Sequence, residues 1–185
     1  MENERNALNI LAVYPGTFDP IHYGHMDIAR RAASLFDRLL IAVYDKPLKT
    51  LLFPPEERIA LVTETIQGMD LPNVSVTGYS GLTVEFCRKV SAKVMVRGLR
   101  VFSDFEHEFR LALANHRLAP EIDIVPLITS EEHTFLSSAT VREIASLGGD
   151  VSTMVPPHVQ AALQRRFAEL GDDGGKLVPM TSIRD

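Results

Sequence analysis

Five short runs rich in Val, Ile and Leu alternate along this chain with longer stretches of helical period, and that alternation limits it to few folds. The runs are NILAVY (9–14), RLLIAVY (38–44), VSVTGY (74–79), AKVMVRG (92–98) and IDIVPLI (122–128). Each is strand-sized and almost continuously apolar, as expected of strands covered on both faces. Helical spacing occupies about 23–36, 55–68, 82–90, 103–118, 138–147 and 156–170. Strand, helix and strand in repetition predict an α/β fold. The expected form is a doubly wound, five-stranded parallel sheet with helices on both faces.

Local signals agree. Pro54 and Pro55 open the second helix, Ser103 to Glu106 (SDFE) reads as a capping box, and Gly148 with Gly149 closes the helix that begins near Ser138. The cap is sufficient explanation for Glu106. Residues 1–170 read as a single domain, and 171–185, rich in Gly and Asp, as a flexible tail. Cys87 is the one cysteine, so no disulfide closes within the chain, and a packed thiol is expected. The N-terminus MENERNAL is charged, and no apolar run approaches the roughly 18 residues of a membrane span. A cytoplasmic protein is expected, without membrane contact. Net charge is −5, so no overall basic field draws nucleic acid, and anionic ligands require local positive charge.

In open parallel sheets ligands bind beyond the carboxyl ends of the strands. The segments found there are PGTFDPIHYGH, DKPLK, SGLT, RGLR and TSEEHTFLSSA, which hold most of the polar chemistry of the chain. In the first, Pro15 and Gly16 are expected to break the strand, and Asp19-Pro20 to impose an extended or turned step. His22 and His25 then fall in the first turn of a helix, whose positive end favours phosphate. Gly24 between them lets a ribose or base lie against the helix. As zinc ligands the pair would need further donors, and no Cys/His cluster supplies them, so no protein metal ligand is expected.

Other residues carry two readings each. Lys49 by spacing alone is a solvated loop lysine. Arg97 ends a strand, where a buried guanidinium needs an anion. Arg100 is spaced to pair with Asp104. Glu108 is a helix carboxylate two turns from Asn115, on one stripe with it. Ser137 and Ser138 are helix caps that can also cradle phosphate. No Walker motif and no nucleophile–base pair is present.

GTFDPIHYGH resembles the nucleotide-binding signature of the HxGH nucleotidyltransferase superfamily, whose fold is Rossmann-like. YPGTFDP (14–20), RGLR (97–100), DFEHE (104–108) and FLSSATVRE (135–143) follow the order and approximate spacing of the bacterial phosphopantetheine adenylyltransferases. The resemblance covers about residues 9–168. It implies reversible transfer of the adenylyl group of ATP to 4'-phosphopantetheine, giving dephospho-coenzyme A and pyrophosphate by direct in-line attack, with Mg2+ accompanying ATP. It implies that His25, Lys49 and Arg97 are catalytic. It assigns ATP contacts to Thr17, Phe18, His25, Gly98, Leu99, Arg100, Glu108 and the run His133, Thr134, Phe135, Leu136, Ser137, Ser138 and Ala139. It assigns acceptor contacts to Thr17, Lys49, Thr83 and Arg97. A homohexamer inhibited by coenzyme A is also implied. The chain departs from the family's usual residues at His22, His133 and Ala139. A related enzyme with another acceptor, such as nicotinamide mononucleotide, and a non-catalytic nucleotide sensor are the alternatives.

Overall fold

The computed structural model describes residues 9–47 and 50–171. Strands β1 (Leu11–Gly16), β2 (Arg38–Tyr44), β3 (Val74–Tyr79), β4 (Val94–Leu99) and β5 (Asp123–Ile128) form one parallel sheet in the order β3-β2-β1-β4-β5. Helices α1 (Tyr23–Leu35), α2 (Pro55–Gln67), α3 (Thr83–Lys89), α4 (Phe102–Leu118), α5 (Ser138–Ser146) and α6 (Pro157–Leu170), with a short 3-10 helix at Glu131–His133, complete the described fold. The expected doubly wound sheet is present.

Successive side chains of a strand leave the sheet on opposite faces, so each strand feeds two cores. Ala12, Ile41 and Val96 pack with Ile28 and Ala32 of α1, Val62 and Ile66 of α2, and Leu163 of α6. Val13, Ala42 and Met95 pack on the other face with Val84 and Cys87 of α3 and with Ala119 and Ile122. Cys87 is fully buried, and that burial pushes its thiol up to about 11. The packed-thiol expectation holds.

The strand order reverses between β1 and β4. These two pair only at Ala12 with Val94 and Val13 with Met95. Their carboxyl ends then diverge and open a crevice, the place where this topology takes ligands.

Two local expectations are corrected. Pro15 and Gly16 do not break β1; they continue it, opposite Ala42 and Val43 of β2. The carbonyl of Pro15 accepts from Arg97 Nη1 at 3.3 Å, so the residue faces β4 where the strands have parted and no ladder partner misses its N–H. The SDFE segment does not cap α4. The helix starts at Phe102 with Val101 as its cap residue and no side-chain cap bond. Asp104 instead accepts from the N–H and guanidinium of Arg100, and Glu106 pairs with Arg110 on the surface. The proline start of α2 and the glycine end of α5 are as expected, with Gly148 at φ 75°. Of the tail, residues 172–185 lie outside the described residues.

Candidate active site

The crevice is a cleft of about 370 Å³ at the carboxyl ends of β1 and β4, closed by the amino ends of α1 and α5. Its floor is a tight turn after β1. Phe18 adopts φ 47° and folds its ring back into the core, 1% exposed, edge-on to Tyr14 and His25. Gly16 makes this possible, because a Cβ there would lie 2.9 Å from the Phe18 ring. Asp19 is fully buried and accepts from the N–H groups of Leu52 and Phe53 at 2.9 and 3.0 Å. It thereby fixes the loop before α2 to the turn. The Asp19–Pro20 peptide is cis.

His22 is the cap residue of α1 rather than part of its first turn, and His25 is the third helical residue. His25 Nδ1 accepts the His22 backbone N–H at 3.3 Å. A neutral His25 therefore carries its proton on Nε2 and is a donor at that edge. The two imidazoles stack with centroids 3.7 Å apart. Burial, then the neighbouring His25, holds the His22 pKa well below the ordinary imidazole value. His22 is neutral, and its buried Nδ1 has no partner among the described residues. Gly24 lines the cleft, but a Cβ on it would meet the His22 ring at 3.1 Å. The glycine makes room for a side chain of this protein as well as for a ligand.

Arg97 and Arg100 bring positive charge to the cleft from β4 and its end. Arg97 is held in a two-point pair by Glu108, at 2.7 Å on each side. Burial opposes the Arg97 charge, yet the hydrogen bonds and charge of Glu108 outweigh it and raise the pKa. The anion expected for Arg97 is thus a residue of this chain. Arg100 makes its expected pair with Asp104 and donates to the Leu136 carbonyl at 2.9 Å.

The remaining expected residues divide. Thr17, Phe18, His25, Arg97, Gly98, Arg100, Ser137, Ser138 and Ala139 all line the cleft. Ser137 caps α5 by accepting the Thr140 N–H, and Ser138 donates to the Pro20 carbonyl. Leu99 and Leu136 are buried and do not line it. His133, Thr134 and Phe135 also lie off its wall; the His133 ring stacks near Tyr23, and Phe135 is exposed. Glu108 lies off it too, in a second cavity of about 140 Å³ with Thr83 and Asn115. Arg97 touches both spaces. Asn115 thus shares a cavity wall with Glu108, as their common helix stripe requires. Lys49 lies outside the described residues.

Sequence reading passed over Tyr14, Arg58, Thr129 and Arg142. Arg142 lines the cleft and donates to the Asp19 backbone carbonyl and, at 3.4 Å, to its carboxylate. Its signal was its place one turn after Ser138 on the same helix face. Arg58 had no such signal, since its partners are all backbone carbonyls from other segments. Among the described residues, the cleft wall offers arginines, imidazoles and hydroxyls and no carboxylate. Such a wall suits a polyanion. Ser137 and Ser138 share that wall with the imidazoles but bond elsewhere, to Thr140 and to the Pro20 carbonyl.

The cytidylyltransferase-like family model matches residues 13–144. A phosphopantetheine adenylyltransferase of Roseiflexus sp. (strain RS-1) is 55% identical over 157 residues, 85% of this chain and 97% of the relative. One of Methylococcus capsulatus is 49% identical over 164 residues, 89% of this chain and 100% of the relative. The chain belongs to the phosphopantetheine adenylyltransferase family. The residues of both cavities all fall inside the matched span. A solved chain from Vibrio parahaemolyticus, provisionally named a nicotinate-nucleotide adenylyltransferase, superposes with a TM-score of 0.65. It is 21% identical, covering 85% of this chain and 99% of that one, and it supports the fold alone. Among the described residues no helix is long and apolar enough to cross a membrane.

Proposed function

We propose that this protein transfers the adenylyl group of ATP to 4'-phosphopantetheine, forming dephospho-coenzyme A and pyrophosphate. The observation that carries the reading is a cleft walled by arginines 97, 100 and 142 and the amino ends of α1 and α5, at the point where the sheet order reverses. A phosphate oxygen of the acceptor attacks the α-phosphorus of ATP. The bond from that phosphorus to the bridging oxygen breaks, and pyrophosphate leaves in line. The attacking oxygen is already anionic, so no general base is needed. Catalysis rests on holding two polyanions together and on neutralising charge that develops at the α-phosphoryl group.

His25 Nε2–H supplies the donor for that charge, oriented by the His22 N–H on its other nitrogen. Arg97 and Lys49 hold the acceptor phosphate, with Thr17 between the two substrates. Thr83 and Asn115 take the pantetheine arm in the second cavity. Glu108 acts by aiming Arg97 rather than by touching ATP. Phe18, Gly98, Arg100, Ser137, Ser138 and Ala139 serve the nucleotide from the cleft wall; Leu99 and Leu136 serve it only by packing behind that wall, and His133, Thr134 and Phe135 by carrying the chain into α5. Mg2+ would accompany ATP and help neutralise its phosphates; the described cleft wall has no carboxylate to hold it, so phosphate oxygens and water would be its ligands.

Residues 1–170 form the catalytic unit, and the enzyme is cytoplasmic. The exposed stripe Phe105, Phe109 and Leu113 on α4 supports assembly with further copies, as a homohexamer. Coenzyme A shares the pantetheine arm and inhibits by occupying its cavity. The test is pyrophosphate release from ATP and magnesium with either 4'-phosphopantetheine or nicotinamide mononucleotide, and the product identified by mass. Dephospho-coenzyme A with the first acceptor alone is the expected result. Product from nicotinamide mononucleotide alone overturns the acceptor, and no product with either overturns the reaction.

A further inference from the structure

Arg58 of α2 is fully buried, yet none of the described carboxylates bonds it. Its guanidinium donates to four backbone carbonyls: Thr17 and Tyr44 at 2.7 Å each, Asp45 at 3.1 Å and Phe53 at 3.2 Å. Those carbonyls belong to three segments. Thr17 follows β1, Tyr44 and Asp45 end β2, and Phe53 precedes α2. An apolar residue would fill this space at lower desolvation cost. What a guanidinium adds is direction, since its planar fork fixes each acceptor to one line.

The direction matters most at Thr17. In a trans peptide the C=O and the following N–H point in opposite senses. Drawing the Thr17 carbonyl toward Arg58 therefore turns the Phe18 N–H away from Arg58, which is not on the cleft wall, while Thr17 and Phe18 are. Among the described hydrogen bonds none uses that N–H. The same guanidinium holds the end of β2, from which the chain runs on to Lys49.

We propose that Arg58 is a positioning residue for the transfer. It aims the Phe18 N–H and the Thr17 side chain at the phosphates of ATP and locks that half of the site to the end of β2. The inference rests on the adenylyl-transfer reading above.

The test compares Arg58→Lys and Arg58→Met with the wild type. Turnover is referred to folded protein by circular dichroism and melting, with both substrates saturating. A lysine retains the charge but not the fork, so kcat per folded molecule falls about tenfold or more in both variants. A merely structural role would lower the melting temperature and leave kcat per folded molecule unchanged; values within twofold of wild type overturn the proposal. If neither variant folds, the wild type decides. Labelling with carbonyl-13C threonine and 15N phenylalanine marks only the pairs 17–18 and 134–135, and Thr134→Ser tells them apart. On adding α,β-methylene ATP with magnesium, the Phe18 amide proton moves downfield and slows in exchange. An unmoved Phe18 amide overturns the proposal. Absence of product with wild-type enzyme instead overturns the adenylyl-transfer reading, and this inference with it.

Discussion

Asp19→Ala should cost more stability than its size suggests. The carboxylate is fully buried and serves two buried amides, Leu52 at 2.9 Å and Phe53 at 3.0 Å. Truncation leaves both N–H groups without an acceptor in a space water enters poorly. Each orphaned amide costs about 1–3 kcal/mol, so the pair costs about 2–6 kcal/mol; a water filling the gap sets the low end. Arg142 keeps its bond to the Asp19 carbonyl and adds less. A central loss of about 4 kcal/mol corresponds to a melting temperature lower by roughly 8–16 °C for a chain of this size. Asp37→Ala is the control. Its carboxylate also accepts a backbone N–H, that of Ile10 at 2.8 Å, but it is exposed, and water replaces it for less than about 1 kcal/mol. Urea unfolding at one fixed protein concentration measures both, with equal slopes required. An Asp19→Ala loss no greater than that of Asp37→Ala would refute the view that these amides depend on Asp19.

Three further outcomes follow from the site. His25→Ala should lower kcat by about a hundredfold or more while ATP affinity changes little, because the donor bond proposed for it acts in the transition state; steady-state kinetics and ATP titration check this, and near-normal turnover would remove His25 from the mechanism. Glu108→Gln loosens Arg97 and should raise the KM for phosphopantetheine about tenfold with less than threefold effect on ATP; equal losses for both substrates would return Glu108 to the nucleotide. His22 is depressed in the folded state, so its contribution to stability is full above the ordinary imidazole value and is lost as pH falls below it, where only the unfolded chain takes the proton. Urea midpoints should therefore decline from pH 7 to pH 5, and His22→Asn should flatten that slope.

Much of this molecule was legible in its residue order because the signals were local. An apolar run bounded by turn formers states its own strand, so β2 and β3 fall where the pattern put them. The rule that ligands meet the carboxyl ends of parallel strands then directed attention to Thr17, His25, Arg97, Gly98 and Ser137, which share one cleft. Local reading failed where two signals competed for the same residues. Pro15 and Gly16 look like breakers, but a proline is harmless where the neighbouring strand has already turned away. SDFE looks like a cap, but Asp104 is committed to Arg100 and the helix has begun before it.

The order of residues by itself determined the elements, the sheet type and the edge of the sheet that holds the chemistry, because these follow from periodicity and chain chirality. Only the tertiary structure decided which charges face each other. Arg97 and Glu108 are eleven positions apart on different elements, Arg142 and Asp19 more than a hundred, and Arg58 meets carbonyls from three segments. No spacing rule reaches across such separations. Those pairings are set by how the helices pack on the sheet, and they decide that Glu108 aims an arginine and that Gly24 makes room for His22.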